Sequence, residues 1–389
     1  MSKYDDLEAV ASKGRTAALE RLESRMMLTQ RAQAAVVKRA LELTIKDKLV
    51  DPKSATFYVD HDSRKVCLSY GREHASVTIH SHAMGQLADI SQVTRLYVRR
   101  LLEGCVGMGQ EDRHILLTHV LNTHFHEGIY LDRKKNPTKF LHRTVGTELR
   151  GVLSRNYNRK LGTMTMLRPF IEEAMAFGAE PVEAYSSPVK MAVTYMLPHI
   201  FEPVPGEFVT FGVQYANSDF GAGGLHVAGT VFRISSGSVA VLGDKLSRVH
   251  LGAVIEEAEI ELSEETLAKE AAAHVSALRD MVKKQLDPKN VYRVLSMIEY
   301  ADKHEMSWLT LKDKLRTVLH KTELQTVEEM LQEANKGIVE LPPVKQTADG
   351  DPVATAWWAS AVLGHLAEKV EDVDRKGSIH NLAGKLLAK

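Results

Sequence analysis

Cysteine is nearly absent. The 389 residues hold two, Cys67 and Cys105, 38 positions apart and outside any CxxC or Cys/His ligand spacing. That argues against a disulfide framework or a zinc knuckle and for reduced, partly buried thiols. Long apolar runs are also missing: no stretch approaches the roughly 18 to 20 residues needed to cross a bilayer. The opening MSKYDDLEAVASKGR starts acidic and lacks the apolar centre of a signal peptide. A cytoplasmic protein with no membrane partner is therefore expected. Nucleotide cradles are lacking too, with neither GxxxxGK[ST] nor a strand followed by GxGxxG and a helix; Gly221 to Gly224 falls between strands, where glycines serve a turn. No GxSxG elbow orients Ser218, Asp219 and His226 as a triad. No internal repeat points to a solenoid.

Net charge is zero overall but unevenly placed. Residues 1–255 carry 32 Lys and Arg against 26 Asp and Glu, while residues 256–389 carry 18 against 24. A polyanion is thus compatible with the front of the chain and an acidic face with the back.

Apolar spacings of three and four from Asp5 to Leu49 predict two helices, a loosely held one up to about Arg25 and a better-buried one ending at Asp51-Pro52. Residues 56–70 read as two strands around a turn at 61–64, with 74–80 as a third. Helical periodicity returns at 83–104 and 111–124. A strand at FLHRTV (140–145), a helix over 166–177, and strands at 188–197, 207–215, 225–234 and 237–243 follow, the last two joined by a Ser-Ser-Gly turn. Ser263 caps a further helix, and 263–342 is helical with breaks at Asp287-Pro288 and 303–306; one more helix follows the 347–352 linker. The expected fold class is α+β, an antiparallel sheet with packed helices. The expected units are an N-terminal helical arm (1–50), an α+β core (51–262) and a C-terminal helical unit (263–389).

His124-Phe125-His126 resembles the opening of a metallo-β-lactamase metal motif, but after the spacer Glu127 it continues Gly128-Ile129 instead of Asp-His, and His114 and His119 are not spaced to share a helical face with it. At His80-Ser81-His82 the serine is expected to cap a helix. No metal, no cofactor and no catalytic residue is assigned. Between Asp132 and Lys160, however, nine Lys and Arg stand against two acids. Lys134, Lys135, Lys139, Arg143, Arg150, Arg155, Arg159 and Lys160 are the candidate phosphate contacts and Tyr157 the candidate stacking platform, each stacked base contributing about 1–3 kcal/mol. The same cations also fit a solvated surface balanced by the acidic C-terminal unit.

Leu149-Arg150-Gly151-Val152-Leu153-Ser154-Arg155-Asn156-Tyr157, Tyr215-Ala216-Asn217-Ser218-Asp219-Phe220-Gly221, Val231-Phe232-Arg233-Ile234 and Arg248-Val249-His250-Leu251-Gly252, preceded by Leu141-His142-Arg143-Thr144, resemble the phage and plasmid family labelled "phage/plasmid-like protein" over residues 80–255. The chain departs from that family at Arg155, where an acid is usual, and at Ser235-Ser236-Gly237, where Cys-x-Asn-Gly is usual. The resemblance implies a mobile-element protein in a bacterial host cell. It also implies a remote similarity to phage single-strand annealing proteins, which join an antiparallel sheet to helices and bind DNA in a basic groove between subunits. The resulting expectation is a non-catalytic, homo-oligomeric, single-stranded-DNA-binding protein of recombination or replication. The alternatives are a structural (virion) or host-interaction protein, and an enzyme resting on the His114 to His126 cluster.

Overall fold

The computed structural model describes residues 13–70, 76–104, 107–126, 139–155, 157–234, 238–248, 263–335, 345–346, 352–370 and 372–387. The elements begin with helix α1 (Lys13–Glu42), strands β1 (Ile45–Val50), β2 (Ala55–Val59), β3 (Val66–Tyr70) and β4 (Val77–Ile79), and helices α2 (Ser81–Ile90), α3 (Arg95–Glu103) and α4 (Gln110–His126). Strands β5 (Phe140–Val145) and β6 (Glu148–Ser154) follow, then α5 (Thr163–Ala176), β7 (Glu180–Ser186), β8 (Met191–Met196), β9 (Phe201–Val204), β10 (Glu207–Asn217), β11 (Leu225–Arg233) and β12 (Ser238–Arg248). The chain continues with α6 (Glu264–Leu286), α7 (Pro288–Lys303), β13 (Glu305–Ser307), α8 (Trp308–Arg316), α9 (Lys321–Asn335), β14 (Lys345–Gln346), β15 (Pro352–Thr355), α10 (Ala356–Glu368) and α11 (Val373–Leu387). The fold is α+β.

The first sheet runs β1-β5-β6-β4-β3-β2. Every pairing in it is antiparallel except β4 with β6, whose connection passes through α2, α3 and α4. Those helices cover one face, and Phe57, Leu68, Leu87, Leu101, Leu121, Phe125 and Val152 fill the layer between. Phe57 and Phe125 meet edge to face at 5.3 Å. On the outer edge of β2, Asn122 of α4 substitutes for a missing strand, its amide accepting from Phe57 N and donating to Phe57 O, both at 2.8 Å. Cys67 lies buried in β3, and burial raises its thiol pKa.

The second sheet runs β12-β11-β10-β8-β7, with β9 added on β10. Alternation along its strands divides the core. Val209, Phe211, Val213, Tyr215, Val227 and Val231 join the cluster that holds α5, α6, α7 and α10, whereas Phe208, Ala228, Phe232, Val239 and Val241 join Ala18, Leu22 and Met26 of α1. A small sheet, β13-β15-β14, sits among the C-terminal helices. Their starts follow ordinary capping chemistry. Ser263 accepts from Thr266 N, Asp287 from Lys289 N just before Pro288, Ser307 from Thr310 N and Thr355 from Trp358 N.

Several expectations change. The first 30-residue helix is continuous through Arg25, and residues 45–50 form a strand of the first sheet instead of the end of a second helix, so a boundary drawn at residue 50 cuts that sheet. The burial order is also reversed: Ala18, Leu22 and Met26 are buried, while Met27 and Leu28 are exposed. The N-terminal half of the helix packs on one apolar face of the second sheet, while Val36, Val37 and Ala40 of its C-terminal half are partly buried against the larger core cluster. The cap of α2 is His80, whose Nδ1 accepts from His82 N, and Ser81 is the first helical residue. The periodic stretch at 83–104 is two helices, parted at Gln92 with φ 53°. Strand β7 has no counterpart in the sequence reading. The Ser-Ser-Gly turn and the first twelve residues lie outside the described residues.

Close backbone approach decides one contact. A Cβ added at Gly384 would stand 1.8 Å from Val241 O and 2.6 Å from Val241 C, so α11 reaches β12 only because this residue is glycine. Gly384→Ala is expected to lower stability by about 1–3 kcal/mol, read from urea unfolding; an unchanged midpoint would show that α11 is not seated as described.

Two histidines are buried in the neutral form. His142 on β5 bonds through Nδ1 to Tyr70 Oη at 2.9 Å, and burial, reinforced by Lys48, pushes its pKa from 6.5 down to about 3. Burial likewise pushes His380 on α11 down to about 4, against the opposing pull of Glu183. The unfolded chain protonates both near 6.5, so below that pH it binds more protons than the native state. Stability is therefore expected to be complete above about pH 6.5 and to decline as pH falls towards 4. His380→Leu should flatten that decline in denaturant midpoints measured across the window.

Candidate functional site

Two of the segments singled out by sequence, 141–157 and 215–221, meet at the back of the first sheet. Leu141, Leu153 and Tyr157 form a small apolar cluster there, on the face away from α2 to α4, and the turn between β10 and β11 is set against it. Tyr157 Oη donates to Ser218 O at 2.9 Å, Arg143 donates to Asp219 O, and Gln86 Nε2 donates to Phe220 O at 2.9 Å, with His82 Nε2 3.0 Å from the same oxygen. Gly151 permits this approach, since a Cβ there would stand 3.2 Å from Phe220 Cα and O. Gly221, at φ 79°, closes the turn where a side chain would strike Leu153 and Gln86.

Within the turn the side chains of Asn217, Ser218 and Asp219 are all engaged. Ser218 Oγ donates to Val189 O at 2.7 Å and accepts from Phe220 N and Ala222 N. That hydroxyl is a turn brace and not a nucleophile. Asp219 Oδ1 accepts from Thr163 N at 3.0 Å, and Asn217 Nδ2 donates to Leu161 O at 2.9 Å, holding the start of α5. Tyr215 is fully buried and Tyr157 nearly so; burial, with Asp219 adding to it, raises both phenol pKa values.

This geometry corrects the proposed strand-binding set. Tyr157 is 8% exposed, its ring under the Arg143 guanidinium at 5.4 Å, so it offers no face to a base. Arg143 is itself buried and paired with Asp47 Oδ1 at 2.8 Å, because its position in β5 opposite Asp47 and Gly151 directs it into the junction. Arg150 is bound to Glu148 at 2.7 Å and to Pro188 O at 3.2 Å. Arg159 is half exposed and lies 3.5 Å from Asp47 Oδ2. Lys139 and Arg155 are exposed and Lys160 partly so, while Lys134 and Lys135 lie outside the described residues. Among the seven described positions, Arg143 and Tyr157 are therefore buried in the junction, apart from the exposed Lys139, Arg155 and Arg159.

A different cationic grouping appears beside the junction. A cleft of about 40 Å3 is lined by Arg39 of α1, Arg150 of β6 and Lys190 from the β7–β8 turn, with Ser187, Asn217 and Asp219 deeper in. Its size admits a water or a single oxygen of an anion, not a base. Lys190 and Arg39 carried no motif, and only the folded chain places them beside Arg150. Elsewhere, Arg233 of β11 is buried at 3% exposure between Glu207, 2.6 Å from its Nε, and the ring of Trp357, 4.6 Å from its Cζ. Of the segment at 248–252 only Arg248, closing β12, is described.

Among the described residues no group of three His, Cys, Asp or Glu is placed to hold a metal. His114 is buried with Nδ1 2.9 Å from Arg64 O, and His119 is exposed. Nor is any described helix long and apolar enough to cross a membrane.

The Asp47 carboxylate neutralises a buried guanidinium, so Asp47→Ala is expected to cost about 3 kcal/mol of stability, against at most about 0.5 kcal/mol for Arg155→Ala on the surface. Equal losses in urea titrations would contradict the junction described here. No family model, no curated protein and no solved structure matches this chain.

Proposed function

We propose that this is a non-catalytic DNA-binding protein that holds single-stranded DNA by its phosphates at the cleft between α1, β6 and the β7–β8 turn. The observation that supports this reading is the arrival of Arg39, Arg150 and Lys190 from three separate elements at one cleft. Arg150 is oriented by Glu148 and by Pro188 O, which leaves its guanidinium pre-set for a further acceptor. Arg155, Arg159 and Lys160 follow β6 within the same stretch of chain and supply further partly or fully exposed cations. Recognition of this type is sequence-tolerant and depends on counterion release. A role in phage recombination or replication, as the sequence resemblance implies, fits such a binder.

The second reading is a structural or host-interaction protein. It is favoured by Met27 and Leu28, large apolar side chains exposed side by side on α1.

The two are separated by fluorescence anisotropy with a labelled single-stranded oligonucleotide over a series of salt concentrations. Affinity is expected to fall steeply with salt, and Arg39→Glu or Lys190→Glu should weaken binding about tenfold and reduce the salt slope by about one per cation removed. A flat salt response, or variants that bind as tightly as the parent, would remove the DNA-binding reading.

A further inference from the structure

The two large sheets end in the outer strands β1 and β2, and β7 and β12. On the last three the edge backbone is engaged by another element. Asn122 takes both backbone groups of Phe57 on β2, Arg25 and Thr29 donate to the Val182 carbonyl on β7, and Gly384 brings α11 against the Val241 carbonyl on β12. Strand β1 differs. Among the described residues its strand partner is β5 alone, and Lys46, Lys48 and Leu49 are exposed. Such an edge presents a row of backbone donors and acceptors to an incoming extended chain.

Side-chain alternation gives this edge two unlike faces. The pairing of Asp47 with Arg143 and of Leu49 with Leu141 puts both residues on the back of the sheet. There Leu49 is 51% exposed, and the Asp47 carboxylate is held by Arg143 and Arg159. Lys46 and Lys48 project on the opposite face, about 7 Å apart along the strand, with Lys48 Nζ 4.2 Å from the centre of the Tyr70 ring.

Charge and backbone chemistry together select the occupant. A second copy is disfavoured: a two-fold axis normal to the sheet keeps every side chain on its own face, and either register that pairs most of β1 sets Lys46 against Lys48 or Lys48 against itself. A nucleic acid would meet the lysines but carries no ladder of amides to match the edge. An extended peptide meets both. Lysines at alternate positions call for carboxylates at alternate positions, with an apolar side chain next to them on the Leu49 face.

We propose that β1 is a docking edge for an acidic, extended segment of a partner protein, which adds to the first sheet as a further strand with carboxylates opposite Lys46 and Lys48 and an apolar residue opposite Leu49. The inference does not depend on DNA binding.

Fluorescence anisotropy of the full chain with a short labelled peptide in which valine and glutamate alternate tests it. Saturable binding is expected, weakened at least tenfold by Lys46→Glu combined with Lys48→Glu, with circular dichroism unchanged because both side chains are exposed. The same peptide with every amide N-methylated keeps its charge and loses its backbone donors, and should also bind at least tenfold more weakly. No binding of the parent peptide, a double variant that binds as tightly as the wild type, or an N-methylated peptide that binds as well as its parent would overturn the proposal. So would displacement of the peptide by a single-stranded oligonucleotide of equal charge, which would make the edge a polyanion contact. A dimer in sedimentation equilibrium that the peptide dissociates would overturn it as well, by putting a second copy on β1.

Discussion

The seating of the β10–β11 turn on the first sheet is the contact on which the arrangement of the two sheets depends. Ser218, Asp219 and Phe220 each present a carbonyl to a donor from the other sheet or its helix, namely Tyr157, Arg143 and Gln86. Individually such hydrogen bonds contribute only about 1 kcal/mol, but leaving a buried donor or acceptor unpaired costs more. Arg143 raises that penalty because it is charged. With Asp47 on one side, Tyr157 below and the Asp219 carbonyl beyond, it is satisfied only when the turn is in place. Glycine at 151 and at 221 is the steric condition for the same contact.

That constraint explains why the charge of a sequence segment is a poor guide to surface potential here. Residues 139–160 are rich in cations, yet β5 and β6 turn Arg143 inward and hold Arg150 against a carboxylate two residues away. The cations that project at the junction cleft come from positions 39, 150 and 190, far apart in the chain. A second buried cation, Arg233, is likewise paired with Glu207 and lies over the ring of Trp357. The segments 141–157 and 215–221 are thus, in large part, the structural junction.

Much of the secondary structure was legible. The strands at 56–70 meet at the expected turn, with Arg64 at φ 56°; β5, β10, β11 and α4 lie where periodicity puts them, Ser263 caps the helix it was expected to begin, and the expected break at Asp287-Pro288 separates α6 from α7. These signals are local, arising from side-chain alternation and from hydroxyl or carboxylate groups reaching the first free amides. Strand β7 escaped because Glu180-Pro181-Val182-Glu183 carries a proline and two acids, tolerated at an edge whose outward carbonyl is taken by α1. Residues 45–50 escaped because IKDKLV continues the preceding helical spacing, and nothing local reveals its partner almost one hundred residues later.

By itself, then, the sequence determined the α+β class, most of the helices and strands and the cap at Ser263, because each depends on neighbours within a few residues. The tertiary structure alone decided that Arg143 and Tyr157 face inward, that Arg39 and Lys190 stand beside Arg150, and that Leu28 is uncovered. Orientation and exposure are set by what packs on each face, and the packing partners come from distant parts of the chain.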